Sequence, residues 1–323
     1  MKKIILFVLA ASLPLSAATV QVNSSIRDKT AASLGIPADG VAPQAVRAYK
    51  TDRAALQQRA AAVFERNPVA AAKTKGRAPE ASENEYGVTY RSGPIEYEVS
   101  NAAGAEILVD LDRYTRREEA SQTVDEKAIE DYARKYIAEN MSDVDQGEAS
   151  FAGVKKIMDS IASMSKDGKV ADVSSGVANY IAVFQRRINK VPVVGPGEKI
   201  RVYFAANGDV VGHSRIWREI EKTPAGPARA VVSPGRVQEA LAKTLAQHPA
   251  QSVEIDFLEF GYMGQGRYTR QETLNPVYLI GYKAGEESKR VIKVYDAYTG
   301  AELAPPADPP GDAKRAPKTT IRR

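Results

Sequence analysis

The stretch "NKVPVVGPGEKIRVYFAANGDVVG", Asn189–Gly212, decides the fold. It has a Pro-Gly turn, an alternating strand, an Asn-Gly-Asp turn and the start of another strand. Ile200, Val202 and Phe204 fall on one face of that strand, and Arg201, Tyr203 and Ala205 on the other. Gly195 and Gly197 around Pro196 permit a tight turn. Nothing in the stretch supplies a nucleophile, a metal cluster or a phosphate loop.

The same grammar continues on both sides. Upstream, "TVDEKAIEDYARKYIAEN" predicts a helix with a capping box at Thr123 and Glu126 and one apolar face. Three strand-like runs follow it: "ANYIAVFQRRI", "EKIRVYFAA" and "DVVGHSRIWREI". Downstream, Ser233-Pro234 opens a second helix with Val237, Leu241 and Leu245 on its stripe and Pro249 at its end. Strands follow again: "SVEIDFLEFGYM", "NPVYLIGYK" and "KRVIKVYDAYTGAEL". The pattern predicts an α+β fold of tandem units, each one helix packed on an antiparallel β-meander. Such a unit buries one sheet face and leaves the other open to solvent or a partner.

Before these units, "PQAVRAYKTDRAALQQRAAAVFERNP" predicts an amphipathic helix opened by Pro43 and ended by Pro68, followed by a linker. From Tyr86 the period changes to two, with a hairpin loop at Asn101–Gly104. Asp110 and Asp112 share a strand face there, which reads as solvated rather than cation-binding. The expected organisation is a leader at 1–18, a helical segment and linker at 19–85, units at 86–221 and 222–303, and a tail at 304–323.

The ends of the chain bound its compartment. "MKKIILFVLAASLPLSAA" has a basic start, a short apolar run and small residues, as an export leader cleaved after Ala18 does. The chain has no cysteine, so no disulfide framework is expected. The Pro-rich tail from Ala304 lacks apolar periodicity and reads as disordered. The net charge is +5; Lys2 and Lys3 carry two of it. The tail's Lys314, Arg315, Lys318, Arg322 and Arg323 against Asp308 and Asp312 carry three more, so Thr19–Leu303 is formally neutral. That argues against nucleic-acid binding, which needs a basic folded face. The basic tail suits weak contact with an anionic surface, although a solvated tail is favoured. The expected localisation is secreted or periplasmic, with no membrane span in the mature form.

"VFQRRINKVPVVGPGEKIRVYFAANGDVVGHSRI" resembles the inhibitory propeptide segments of thermolysin-like secreted metalloproteases, through Val191–Gly195 and Asn207–Val211. "NPVYLIGYK…RVIKVYDAYTGAEL" is similar to PepSY-type domains, through Asp296-Ala297, Thr299-Gly300 and Leu303. Phe260–Tyr262 and Asn275–Tyr278 also resemble the extracytoplasmic regulators of cell-wall sensor kinases. Together these resemblances cover about residues 123–303. They imply a non-catalytic module that inhibits, chaperones or binds an exported protease or envelope protein. The chain departs from the propeptide pattern in carrying no protease domain with paired histidines; its two histidines are His213 and His248.

Catalytic alternatives are weak. His213 beside Ser214 reads as a hydrogen-bonded residue rather than half of a triad, and His248 before Pro249 as a helix C-terminal residue. "GYMGQGRY" follows a strand without opening a helix, so it lacks the dinucleotide context. No cofactor or metal is expected. Arg186, Arg187, Arg201, Tyr203, Arg215 and the sole tryptophan, Trp217, are the candidate partner-binding residues. The other functions weighed are a structural or regulatory envelope component acting through self-association or a membrane partner, and a hydrolase using His213.

Overall fold

The structure, a computed structural model, describes residues 18–74, 76–115, 124–164, 170–247, 252–285 and 289–304. Residues 1–17 of the leader, Thr123, His248, Pro249 and the tail from Pro305 lie outside the described residues. In chain order the N-terminal segment contains β1 (Thr19–Val22), α1 (Ser24–Arg27), β2 (Gln44–Ala45), α2 (Arg53–Arg66) and α3 (Pro68–Thr74). Next come β3 (Glu80–Glu83), β4 (Gly87–Ser92), β5 (Ile95–Ser100), β6 (Glu106–Asp110), α4 (Leu111–Thr115) and α5 (Glu126–Asn140). The centre is β7 (Ala149–Met164), β8 (Val170–Ile188), β9 (Val191–Val194), β10 (Lys199–Ala205) and β11 (Val210–Ile216). The last part is α6 (Pro234–Leu245), β12 (Ser252–Met263), β13 (Thr273–Leu274), β14 (Pro276–Ala284), β15 (Val291–Asp296) and β16 (Glu302–Leu303).

The expectation of tandem helix-on-meander units is overturned. The protein is mainly β: among the described residues 14 strands form one mixed sheet, and β2 and β13 form a separate two-stranded one. The path runs β16-β15-β14-β12-β9-β8-β10-β11-β6-β5-β4-β3, with β1 beside β12 and β7 beside β8. The opening stretch causes this. Asn189 and Lys190 adopt positive φ of 50° and 68°, so β8 turns back into β9 over two residues. β9 then leaves β8 and pairs in parallel with β12, Val193 opposite Tyr262 and Val194 opposite Met263. The early hairpins join too, since β6 pairs with β11 with Val109 opposite Gly212.

The N-terminal segment also differs from expectation. Pro43 opens no helix: Gln44 and Ala45 pair with Leu274 and Thr273. Helix α2 begins at Arg53, where the Asp52 side chain accepts from the Ala55 N–H at 3.1 Å. Pro68 does end it, but the residues expected as linker form α3. Asp112 lies in α4, not on a strand.

Two apolar cores lie under the helices. In the first, Ile200, Val202 and Phe204 of β10 are fully buried against Ile129, Ala133, Tyr136 and Ile137 of α5. In the second, Val237, Leu241 and Leu245 of α6 pack on Leu258, Phe260, Tyr278 and Ile280, with Ile26, Ile36, Val41 and Val46 from the N-terminal segment completing it. The other face of β10 has no such cover: Lys199, Arg201 and Tyr203 are only half-buried.

Candidate functional site

His213 sits on β11 and is buried. Its Nδ1 lies 2.9 Å from the Tyr136 hydroxyl, which accepts from Asn67 Nδ2 at 2.9 Å. Burial, with Arg215 and Arg59 adding repulsion, lowers its pKa to about 3. The ring is therefore neutral, and in the tautomer with Nδ1 unprotonated the Tyr136 hydroxyl donates to it. Burial raises the tyrosine's own pKa. Ser214 is the next residue along the strand, so its side chain points to the opposite face. There its Oγ accepts from the Tyr203 hydroxyl at 2.8 Å. A strand thus holds the histidine and the serine on opposite sides of the sheet, where neither can activate the other.

Two of the sequence-flagged residues lie inside the fold. Arg186 and Arg215 are buried, as is Arg218, which sequence inspection missed. Glu198 is fully buried at φ 50° in the turn before β10. Its carboxylate accepts from Arg186 Nη1 at 3.1 Å, Arg218 Nη1 at 2.8 Å and the Arg218 backbone N–H at 3.0 Å. Arg218 then reaches across to the carbonyls of Gln265, Gly266 and Thr269 in the loop after β12. Beneath it, the Gly197 backbone runs so close that an added Cβ would sit 2.3 Å from the Gln265 carbonyl oxygen. These contacts bind the β9–β10 turn to the second core. Trp217 lies over Arg186, with the guanidinium carbon 4.7 Å from the ring centroid. Arg186 also pairs with Glu148 at 2.7 Å.

A cleft of about 600 Å³ opens beside this joint, lined among others by Arg47, Tyr49, Lys50, Arg59, Arg215 and Trp217. Its arginines are already matched. Arg47 pairs with Glu219 and Glu221, Arg59 with Glu106, and Arg215 with Glu106 and Asp143. The cleft's arginines are thus neutralised, which leaves Lys50 as its one lining cation with no ion pair among the described residues.

The open face of β10 is different. Strand register places Arg201 beside Val183 and Ser214, and Tyr203 beside Ile181. Lys155 of β7 lies on the far side of Ile181, exposed. Tyr203 meets Tyr114 of α4 edge-on, centroids 5.4 Å apart. Lys199 donates to the Gly195 carbonyl. Burial first, then Arg201 and Lys155, lower the Lys199 pKa, against an upward pull from Glu259. Among the described residues Lys155, Lys199 and Arg201 form no ion pair, in contrast to the cleft arginines.

The six flagged residues thus separate. Arg201 and Tyr203 share the open face, Arg186 and Trp217 stack at the joint, Arg215 lines the cleft, and Arg187 is exposed at the β8–β9 turn with Nη1 3.3 Å from the Lys190 carbonyl. Lys199 was legible, two residues before Arg201 on one strand face. Lys155 was not, because only the pairing of β7 with β8 brings it there. Among the described residues no group of three His, Cys, Asp or Glu is placed to hold a metal ion, and no helix is long and apolar enough to cross a membrane.

No protein-family model and no curated protein matches the chain. Among solved structures, an uncharacterized protein from Eubacterium rectale is similar, with a TM-score of 0.52 at 11% identity over 89% of each chain. The C-terminal domain of YpeB from Bacillus megaterium aligns with a TM-score of 0.39 at 10% identity, over 79% of this chain and 96% of that one. At that score the second likeness carries no argument, and the first shows a shared fold alone.

Proposed function

We propose that the protein is a non-catalytic, exported binding module that engages an exported protein, a secreted protease or an envelope component, through the open face of β10. One observation carries this: the two faces of the strand are chemically opposite. Ile200, Val202 and Phe204 are sealed under α5, while Lys199, Arg201 and Tyr203 remain half-exposed, and neither cation forms an ion pair among the described residues. Export is supported by the leader-like first 18 residues. The propeptide-like and PepSY-like turns support a partner of the protease or envelope class. The placement of His213 and Ser214 on opposite faces argues against a hydrolase. Self-pairing through β7 is opposed by Lys155 and Lys156 on that strand and by three register shifts along it.

The test is parallel melting and partner capture with the mature protein. Tyr203→Ala and Arg201→Ala should leave the thermal transition in place and weaken capture; Phe204→Ala should do the reverse per folded molecule. If Arg201→Ala and Tyr203→Ala capture partner as well as the parent, this face is not the docking surface.

A further inference from the structure

We infer that the open face of β10 receives an extended acidic polypeptide segment of the partner, with carboxylates set against Lys155, Lys199 and Arg201 and an apolar or aromatic side chain against Tyr203 and Ile181. The inference rests on the binding-module function proposed above and names the ligand's chemistry.

Charge complementarity carries it. Elsewhere among the described residues several half-buried and buried arginines find carboxylates: Arg113 with Asp209, Arg134 with Glu130, Arg186 with Glu198, Arg215 with Glu106, whereas the half-buried Lys29 donates to the Leu258 carbonyl. On this face strand register sets Arg201 two residues from Lys199 and Lys155 across Ile181 from Tyr203, and the three cations form no ion pair among the described residues. Like charges held close on a partly buried surface repel, and an incoming carboxylate relieves that repulsion. Spacing narrows the ligand further. Lys199 and Arg201 are two apart on one strand, so their side chains emerge about 7 Å apart on the same face. An extended segment with an acidic residue at every second position presents carboxylates at that same interval. Tyr203, held by Ser214 and Tyr114, gives a fixed aromatic surface next in line.

The probe is a fluorescein-labelled, C-terminally amidated Glu-Tyr-Glu-Tyr-Glu peptide, titrated against the mature protein by fluorescence anisotropy. Its Gln-Tyr-Gln-Tyr-Gln counterpart and anionic phosphatidylglycerol vesicles are run alongside. The acidic peptide should bind at least about tenfold more tightly than the neutral one, and should weaken between about 50 mM and about 500 mM salt. Arg201→Glu and Lys155→Glu should each weaken it about fivefold or more, while Lys50→Glu in the cleft should not. Lys155 is exposed, so its reversal keeps the test valid should Arg201→Glu disturb the fold. Equal binding of both peptides, no binding of the acidic one, or indifference to both reversals would overturn the inference. So would vesicle binding that responds to Arg201→Glu while the peptide does not. If partner capture still responds to Tyr203→Ala in those cases, the docking face stands and only its ligand chemistry falls.

Discussion

Replacing Glu198 by Gln should release the joint between the two cores. The carboxylate is fully buried and binds two guanidiniums, Arg186 and Arg218, plus the Arg218 backbone N–H. Gln keeps the volume and removes the charge, so the change leaves two buried cations short of their shared anion. Breaking a buried ion pair by removing one partner costs about 3–5 kcal/mol. Domains are stable by only about 5–15 kcal/mol, so this is a large fraction of the total. The joint carries its own reporter, because Trp217 is the only tryptophan and sits 4.7 Å from the Arg186 guanidinium. Urea unfolding followed by tryptophan emission should lose about 3–5 kcal/mol in Glu198→Gln. Glu221→Gln, which breaks only the exposed pair with Arg47, should leave the transition where it is. A Glu198→Gln transition within about 0.5 kcal/mol of the parent would refute the claim that this carboxylate holds the joint.

Other outcomes follow from burial and titration. Phe204→Ala should lower unfolding stability by about 3–5 kcal/mol, since the ring is fully buried under α5, and an effect under about 1 kcal/mol would place it outside the core. His213 has a pKa lowered from 6.5 to about 3, so the unfolded chain takes up its proton first as the pH drops. Its contribution is complete above about pH 6.5 and is lost as pH falls toward about 3, at up to about 1.4 kcal/mol per pH unit. Urea midpoints between about pH 7 and pH 5 should show that slope in the parent and a flatter one in His213→Gln; identical slopes would exclude the histidine as its source.

Much of the local structure was legible. Ser233 caps α6, accepting from the Arg236 N–H at 3.4 Å, and Val237, Leu241 and Leu245 face the core as their spacing requires. The alternation at Ile200, Val202 and Phe204 gave the buried face of β10. What failed was long-range pairing. Local period identifies a strand but not its neighbour, and only two residue pairs, Val193 with Tyr262 and Val194 with Met263, turn two meanders into one sheet. Helical spacing also misled at Pro43–Asp52, where Val46 is buried against the second core through tertiary contacts rather than on a helix stripe. In the candidate site, Arg201 and Tyr203 could be read from strand parity. Arg186 and Arg215 could not be told from exposed arginines, because their carboxylates, Glu198 and Glu106, come from other strands or turns.

Site-specific photo-crosslinking tests the docking face most directly. A benzophenone amino acid is placed at position 203 on the open face or at position 132, where Tyr132 is 55% exposed on α5. The mature protein is then irradiated with its exported neighbours present. The account predicts a discrete crosslinked protein from position 203, suppressed by excess Glu-Tyr-Glu-Tyr-Glu peptide, and none from position 132. Crosslinking from position 132 with none from 203 would place the partner on the helical side and contradict the account.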